Sequence, residues 1–162
     1  MSYSDSELRG VGGWLAFLVI VLAALTPIRI VVSTLEVYSD PALPGVFGRN
    51  WGLVQAVEIG LSVLSIAFSL YLAWRLNSVH TPRTIRLVIP GLWILSLGVM
   101  AAELIVLSIL GGLPIDAMAG AVAPELFRGA IFAGVWTAYL LKSERVANTY
   151  AEPEDEVSEV FV

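Results

Sequence analysis

Four long apolar runs dominate the chain, at about residues 13–35, 53–76, 87–110 and 124–141, each cut off by a stretch rich in proline, glycine and charge. Each run is close to the ~20 residues that a helix rising ~1.5 Å per residue needs to cross ~30 Å of hydrocarbon. An open strand in lipid would leave its backbone unpaired, so the runs are predicted as transmembrane helices. Turn formers fill the connections: Asp40-Pro41, Pro44-Gly45 and Gly48-Arg49-Asn50 in the first, His80-Thr81-Pro82 in the second, Gly111-Gly112-Leu113-Pro114 in the third. Pro124 is placed in the first turn of the fourth helix, where the charge of Glu125 suits an N-terminus. That leaves residues 111–123 as a connection, either an ordered cap or an open loop. Pro27 and Pro90 fall inside runs, where each removes a backbone hydrogen bond and is expected to kink its helix.

The pattern therefore predicts an all-α membrane protein, a four-transmembrane-helix bundle. Composition closes off the soluble alternative: with 57% hydrophobic and 14% charged residues, too few charges exist to coat a soluble bundle of such helices. The net charge of −5 is a property of the tail, because Glu152, Glu154, Asp155, Glu156 and Glu159 account for it and the other acids balance the nine Lys and Arg. Residues 143–162 are expected to form an acidic, disordered cytoplasmic tail. Orientation follows from the bases. Arg9 lies in the N-terminal segment 1–12, Arg75, Arg83 and Arg86 flank the second connection, and Lys142 and Arg145 follow the fourth run, against Arg49 alone on the other side. This bias predicts N-in/C-in. The leader carries Asp5 and Glu7 against Arg9, the wrong charge for a signal peptide, so the first run is expected to stay as an anchor. Trp14, Trp74, Trp136 and Tyr139 lie toward the cytoplasmic ends and Tyr38 and Trp51 toward the outer ones, as interfacial belts would have them; for Trp136 and Tyr139, filling the bundle is an equal alternative.

Little conventional chemistry is available. The sequence has no Cys and one His, so no metal or cofactor is expected, and His80 reads as a solvated turn residue. Gly10-Val11-Gly12-Gly13 follows no strand and does not read as a nucleotide loop, and no basic stripe with interleaved aromatics points to nucleic acid. What remains are charges inside the runs. Arg29, Glu58, Glu103 and Arg128, one per helix, fall at roughly 6 to 10 Å below the outer boundary on these span limits. An unpaired charge near mid-membrane costs on the order of 2.5 to 3.5 kcal/mol even on a lenient scale, so the four are expected to pair as a buried network, with Glu36 and Ser62 nearby. The forked donors of Arg suit carboxylates. Glu58, Ser62, Ser65 and Ser69, spaced i, i+4, i+7 and i+11, draw one polar stripe down the second helix, read first as a packing surface and second as a conduit.

Gly10-Val11-Gly12-Gly13-Trp14-Leu15, Thr26-Pro27-Ile28-Arg29, the lone Glu58, Arg128, and the closing run from Trp136-Thr137-Ala138-Tyr139 to Asn148-Thr149-Tyr150 resemble a family of bacterial inner-membrane proteins, the domain of unknown function 2569. The resemblance covers residues 10–150; Thr26 and Tyr150 stand where that family tends to have Ser and Phe, and Glu103 falls outside its motifs. It implies a four-span protein of the bacterial inner membrane and is silent on activity. Function is expected to be structural: an accessory subunit whose charge network fixes one packing, with the lipid bilayer and a larger membrane protein or further copies of itself as partners. The alternative is binding or transport of a small anion or lipid headgroup at the charged layer, Arg29 and Arg128 clamping it and Glu58 or Glu103 exchanging a proton. Catalysis would rest on a carboxylate pair alone, without a nucleophile and adjacent base, so the protein is not read as an enzyme.

Overall fold

The computed structural model describes residues 10–151 of the 162-residue chain, and every regular element among them is helical. Four helices are long and apolar enough to cross a membrane: Trp14–Tyr38, Leu43–Ser78, Pro82–Ile109 and Ile115–Lys142. The expected all-α, four-span membrane bundle is the fold observed. The second span opens with a short turn, Leu43–Phe47, and becomes one regular helix over Trp51–Ser78.

Two boundaries correct the sequence expectation. The fourth helix starts at Ile115, after extended Pro114 (φ −68°, ψ 137°) and with Asp116 in its first turn, so Pro124 lies inside it. The Ala-rich stretch before Pro124 favours helix, and a proline within a transmembrane helix is tolerated, so it marks no boundary. The third connection shrinks to residues 110–114. The tail expected to be disordered from residue 143 instead begins with a helix, Glu144–Thr149, folded against the bundle; residues 152–162, with their five acids, and residues 1–9, including Arg9, lie outside the described residues.

Pro27 follows a π-turn at Val21–Leu25, where the expected disturbance is absorbed, and a second π-turn, Ile94–Gly98, comes after Pro90. In the first, the Thr26 N–H reaches back to the Val21 carbonyl, which takes away the donor that the Leu22 carbonyl would have in an α-helix, and Pro27 has no N–H to replace it. The Ser69 hydroxyl of the second span fills the vacancy, donating to the Leu22 carbonyl at 2.6 Å in a fully buried position. At the second π-turn, the Ser96 carbonyl faces Gly129 of the fourth span, where an added Cβ would lie 2.7 Å from that oxygen. Both π-turns are thus seated on a small residue of a neighbouring helix.

The core follows helical periodicity and gathers at one end. Leu15, Leu18 and Leu22 from the first span, Leu72 and Leu76 from the second, Val88 and Leu92 from the third, and Trp136 and Leu140 from the fourth meet with Val146 and Tyr150. Trp136 fills this core, with the rings of Trp14, Phe17, Phe132 and Tyr139 at 5.8–6.4 Å; Trp14 and Trp74 are exposed on the flanks. Both ends of the described residues, Gly10 and Tyr150 among them, belong to this end. The Gly10 N–H donates to Thr149 Oγ1 at 3.0 Å. Buried Tyr150 donates its hydroxyl to the Leu76 carbonyl and sets its ring 5.6 Å from His80. Positive φ at Gly10 and Gly13 and the close approach of Arg145 to Gly12 give the opening glycines their role in this clasp.

The other end is open. No residue of Thr26–Tyr38 or Val99–Ile109 is buried, and the buried positions of the fourth span are Ala133, Trp136 and Leu140. Three polar stitches hold the rim: Thr34 to Ser62 at 3.2 Å, the Tyr38 hydroxyl to the Gln55 carbonyl at 3.3 Å, and Asn50 Nδ2 to the Leu110 carbonyl at 2.8 Å. Trp51 packs between Tyr38 and Phe47, with ring centroids 5.7 and 5.8 Å away.

Because the Ser96 backbone cannot yield, Gly129→Ala should destabilise the bundle by about 1–3 kcal/mol as overpacking does. Gly134→Ala, where the added Cβ meets nothing within 4 Å, should be neutral or gain helix propensity of roughly 0.5–1 kcal/mol; thermal unfolding in detergent compares the two. Burial, helped by Tyr139, raises the Tyr150 phenol from 10.0 to about 12. The fold favours the neutral phenol, so its contribution is intact below pH ~10 and disappears as pH climbs through about 12. Stability followed across that alkaline window should show this loss, coincident with tyrosinate absorbance, and Tyr150→Phe should lack the step.

Candidate functional site

The open half encloses a cavity of about 730 Å³. The first span contributes Thr26, Arg29, Ser33 and Thr34, the second Glu58, Ser62 and Ser65, the third Ser96 and Glu103, and the fourth Glu125. Between these polar groups the wall is apolar, with Ile30, Val54, Leu104 and Met118, and the aromatic group of Tyr38, Phe47 and Trp51 stands at the outer end. A second cavity of about 380 Å³ adjoins it between the first and fourth spans. The two share Thr26, Arg29, Leu95, Ser96, Met100 and Glu125, and the second adds Arg128.

The polar stripe of the second span explains how the cavity ends. Glu58, Ser62 and Ser65 line it, whereas Ser69, one turn further, is sealed in the core on the Leu22 carbonyl. One helical face therefore lines the cavity at one end and packs between helices at the other, where Ser69 meets the packing expectation.

The buried Arg/Glu network is not what the helices build. None of Arg29, Glu58 and Glu103 comes within ion-pair distance of another, and the buried side chains among the described residues include no charged one. Arg128 pairs instead with Glu125 on its own helix, the two side chains being 73% and 41% exposed. The shifted start of the fourth helix explains the miss. Arg128 lies thirteen residues after Ile115, or about 20 Å along the axis, whereas Glu58 and Glu103 lie about 10 Å from the outer ends of their helices. At the level of the two acids the helices diverge, so a cavity stands where the ion pairs were expected.

Glu58 is the most constrained of these groups. Its Oε1 is shut off from solvent and has no hydrogen-bond donor among the described residues. Ser62 is one turn away and engaged with Thr34, while Glu36 is exposed and lines neither cavity. Glu125 was read in the sequence only as a favourable N-terminal charge; its spacing of three residues from Arg128 was the available signal for a local pair. Ser96 and Thr26 gave no signal, because their exposure to the cavity depends on the π-turns beside them. No group of three His, Asp or Glu able to hold a metal ion occurs among the described residues.

Four apolar helices, knit where the termini meet and hollow at the far end, define a polytopic membrane protein built around an interhelical cavity. The family described as Protein of unknown function (DUF2569) matches residues 8–151, and the chain belongs to that family. No curated protein and no solved structure matches it.

Proposed function

We propose that this protein binds an amphiphilic ligand, one with a polar head and an apolar body, in the cavity of its open half, and that it does so in the inner membrane of a bacterium with both termini in the cytoplasm. The cavity carries the reading. Its volume of about 730 Å³ lies within the roughly 300–1,000 Å³ of small-molecule sites, and a mostly apolar wall with a few converging polar groups is the composition such sites have. The Glu58 and Glu103 carboxylates and the Arg29 guanidinium are the polar groups that the head of such a ligand would meet. Arg75, Arg83, Arg86, Lys142 and Arg145 at the knit end support that end as cytoplasmic, which turns the cavity toward the outer leaflet. Binding is favoured over passage because the cavity floor is the packed layer of Leu22, Ser69, Leu72 and Leu92.

A second reading, the accessory subunit, draws on the same emptiness: no residue of Thr26–Tyr38 or Val99–Ile109 is buried, and a partner's transmembrane helix seated there would complete the bundle. One substitution separates the two. Ser62→Phe fills the cavity, whereas Leu64→Phe alters an exposed face of the same helix. Native mass spectrometry of the full chain should show lipid adducts on the wild type and on Leu64→Phe and their loss on Ser62→Phe. Equal lipid retention in all three contradicts ligand binding, and loss of a stoichiometric co-purifying protein from Ser62→Phe would favour the subunit reading.

A further inference from the structure

The charges around the cavity carry both signs and do not neutralise one another. Glu125 and Arg128 are matched on one helix, which leaves Glu58 and Glu103 facing Arg29. An anion alone would add repulsion to two carboxylates, and a simple cation would offer no acceptor to the Arg29 guanidinium. A ligand bearing both charges gives each of the three groups a partner of opposite sign. The two carboxylates narrow the choice further. A primary ammonium brings three N–H donors to them, whereas a quaternary ammonium brings none.

The apolar part of such a ligand has a way out. The outer half of the first span packs along the second span and not along the fourth, and the smaller cavity occupies the gap. Leu22, Leu25 and Phe132 line that gap, and it meets the charged chamber at Arg29 and Ser96. The gap has its own volume, about 380 Å³, and the closely approaching Ser96 and Gly129 are part of its wall.

We infer that the cavity takes the head of a zwitterionic lipid with a primary amine, its phosphate on Arg29 and its ammonium between Glu58 and Glu103, with the acyl chains leaving between the first and fourth spans. This rests on the amphiphile-binding reading above and specifies its ligand. The chemistry is that of a phosphoethanolamine group, which a soluble metabolite could also present, so the test compares both sources. The full chain in lipid-free detergent is titrated with phosphatidylethanolamine, phosphatidylcholine and phosphatidylglycerol of identical chains, and with soluble glycerophosphoethanolamine, by native mass spectrometry. Phosphatidylethanolamine should bind at least about tenfold more tightly than the others, the scale of one charge-assisted hydrogen bond. The double variant Glu58→Gln, Glu103→Gln, close in shape to the wild type, should erase that preference while still retaining phosphatidylglycerol. Equal or tighter binding of phosphatidylcholine or phosphatidylglycerol to the wild type overturns the zwitterion assignment and leaves amphiphile binding standing. Soluble glycerophosphoethanolamine binding as tightly as its lipid overturns the lipid assignment. Retention of no lipid at all removes the underlying reading as well.

Discussion

In a bilayer, apolar side chains gain little by leaving lipid for one another, so helices are held by close packing and by hydrogen bonds that satisfy polar backbone. The bond from Ser69 to the Leu22 carbonyl is where this constraint is met most fully. A π-turn and Pro27 leave that carbonyl without a helical donor, and a hydroxyl from the next span supplies one in the middle of the leucine layer. Around it the helices interlock, and the terminal helix closes the layer from below with Tyr150 on the Leu76 carbonyl. Beyond it no equivalent anchor exists. The first and third spans bury nothing in their outer halves, three polar stitches hold the rim, and the space between becomes the cavity. The hollow half is thus the counterpart of the packed half: the same polar stripe that ties the second span into the core at Ser69 lines the void at Ser62 and Glu58.

Much of this architecture was legible in the chain. Four runs of transmembrane length with turn residues between them specify four helices, since lipid permits little else. The spacing of Glu58, Ser62, Ser65 and Ser69 placed them on one inward face. What periodicity could not supply was how closely the faces approach. The expectation that Arg29, Glu58, Glu103 and Arg128 neutralise one another assumed that helices carrying opposite charges at one depth come together there. Arg128 departs on depth, because the Ala-rich segment before Pro124 is already helical and the proline marks no beginning. Arg29, Glu58 and Glu103 failed on distance, because the spans part where those residues lie. The short helix Glu144–Thr149 was hidden by the acidic residues that follow it; its stability comes from Val146 and Tyr150 entering the core, a tertiary effect that local composition does not report.

A charged cavity is a different object from a charge network, and it shifts the functional reading. Paired charges would have sealed the bundle and argued for a structural part; charges held apart around a void ask for something between them. The apolar gap beside the chamber, between the first and fourth spans, would give that something a route from the surrounding lipid. Membership of the DUF2569 family extends over residues 8–151, so the clasped termini and the cavity both fall inside the matched region.

The central claim is that the bundle is sealed at one end and open at the other along a single helical face. The chain has no cysteine, so single thiols can be placed on that face without background. Lipid-stripped protein carrying Ser62→Cys, Ser69→Cys or Leu64→Cys is exposed to a charged, water-soluble thiol reagent. Rapid labelling at Ser62, with Ser69 and the lipid-facing Leu64 protected, is the predicted gradient; a Ser62 site as inert as Ser69 would mean that the helices close along their whole length and that the cavity does not exist.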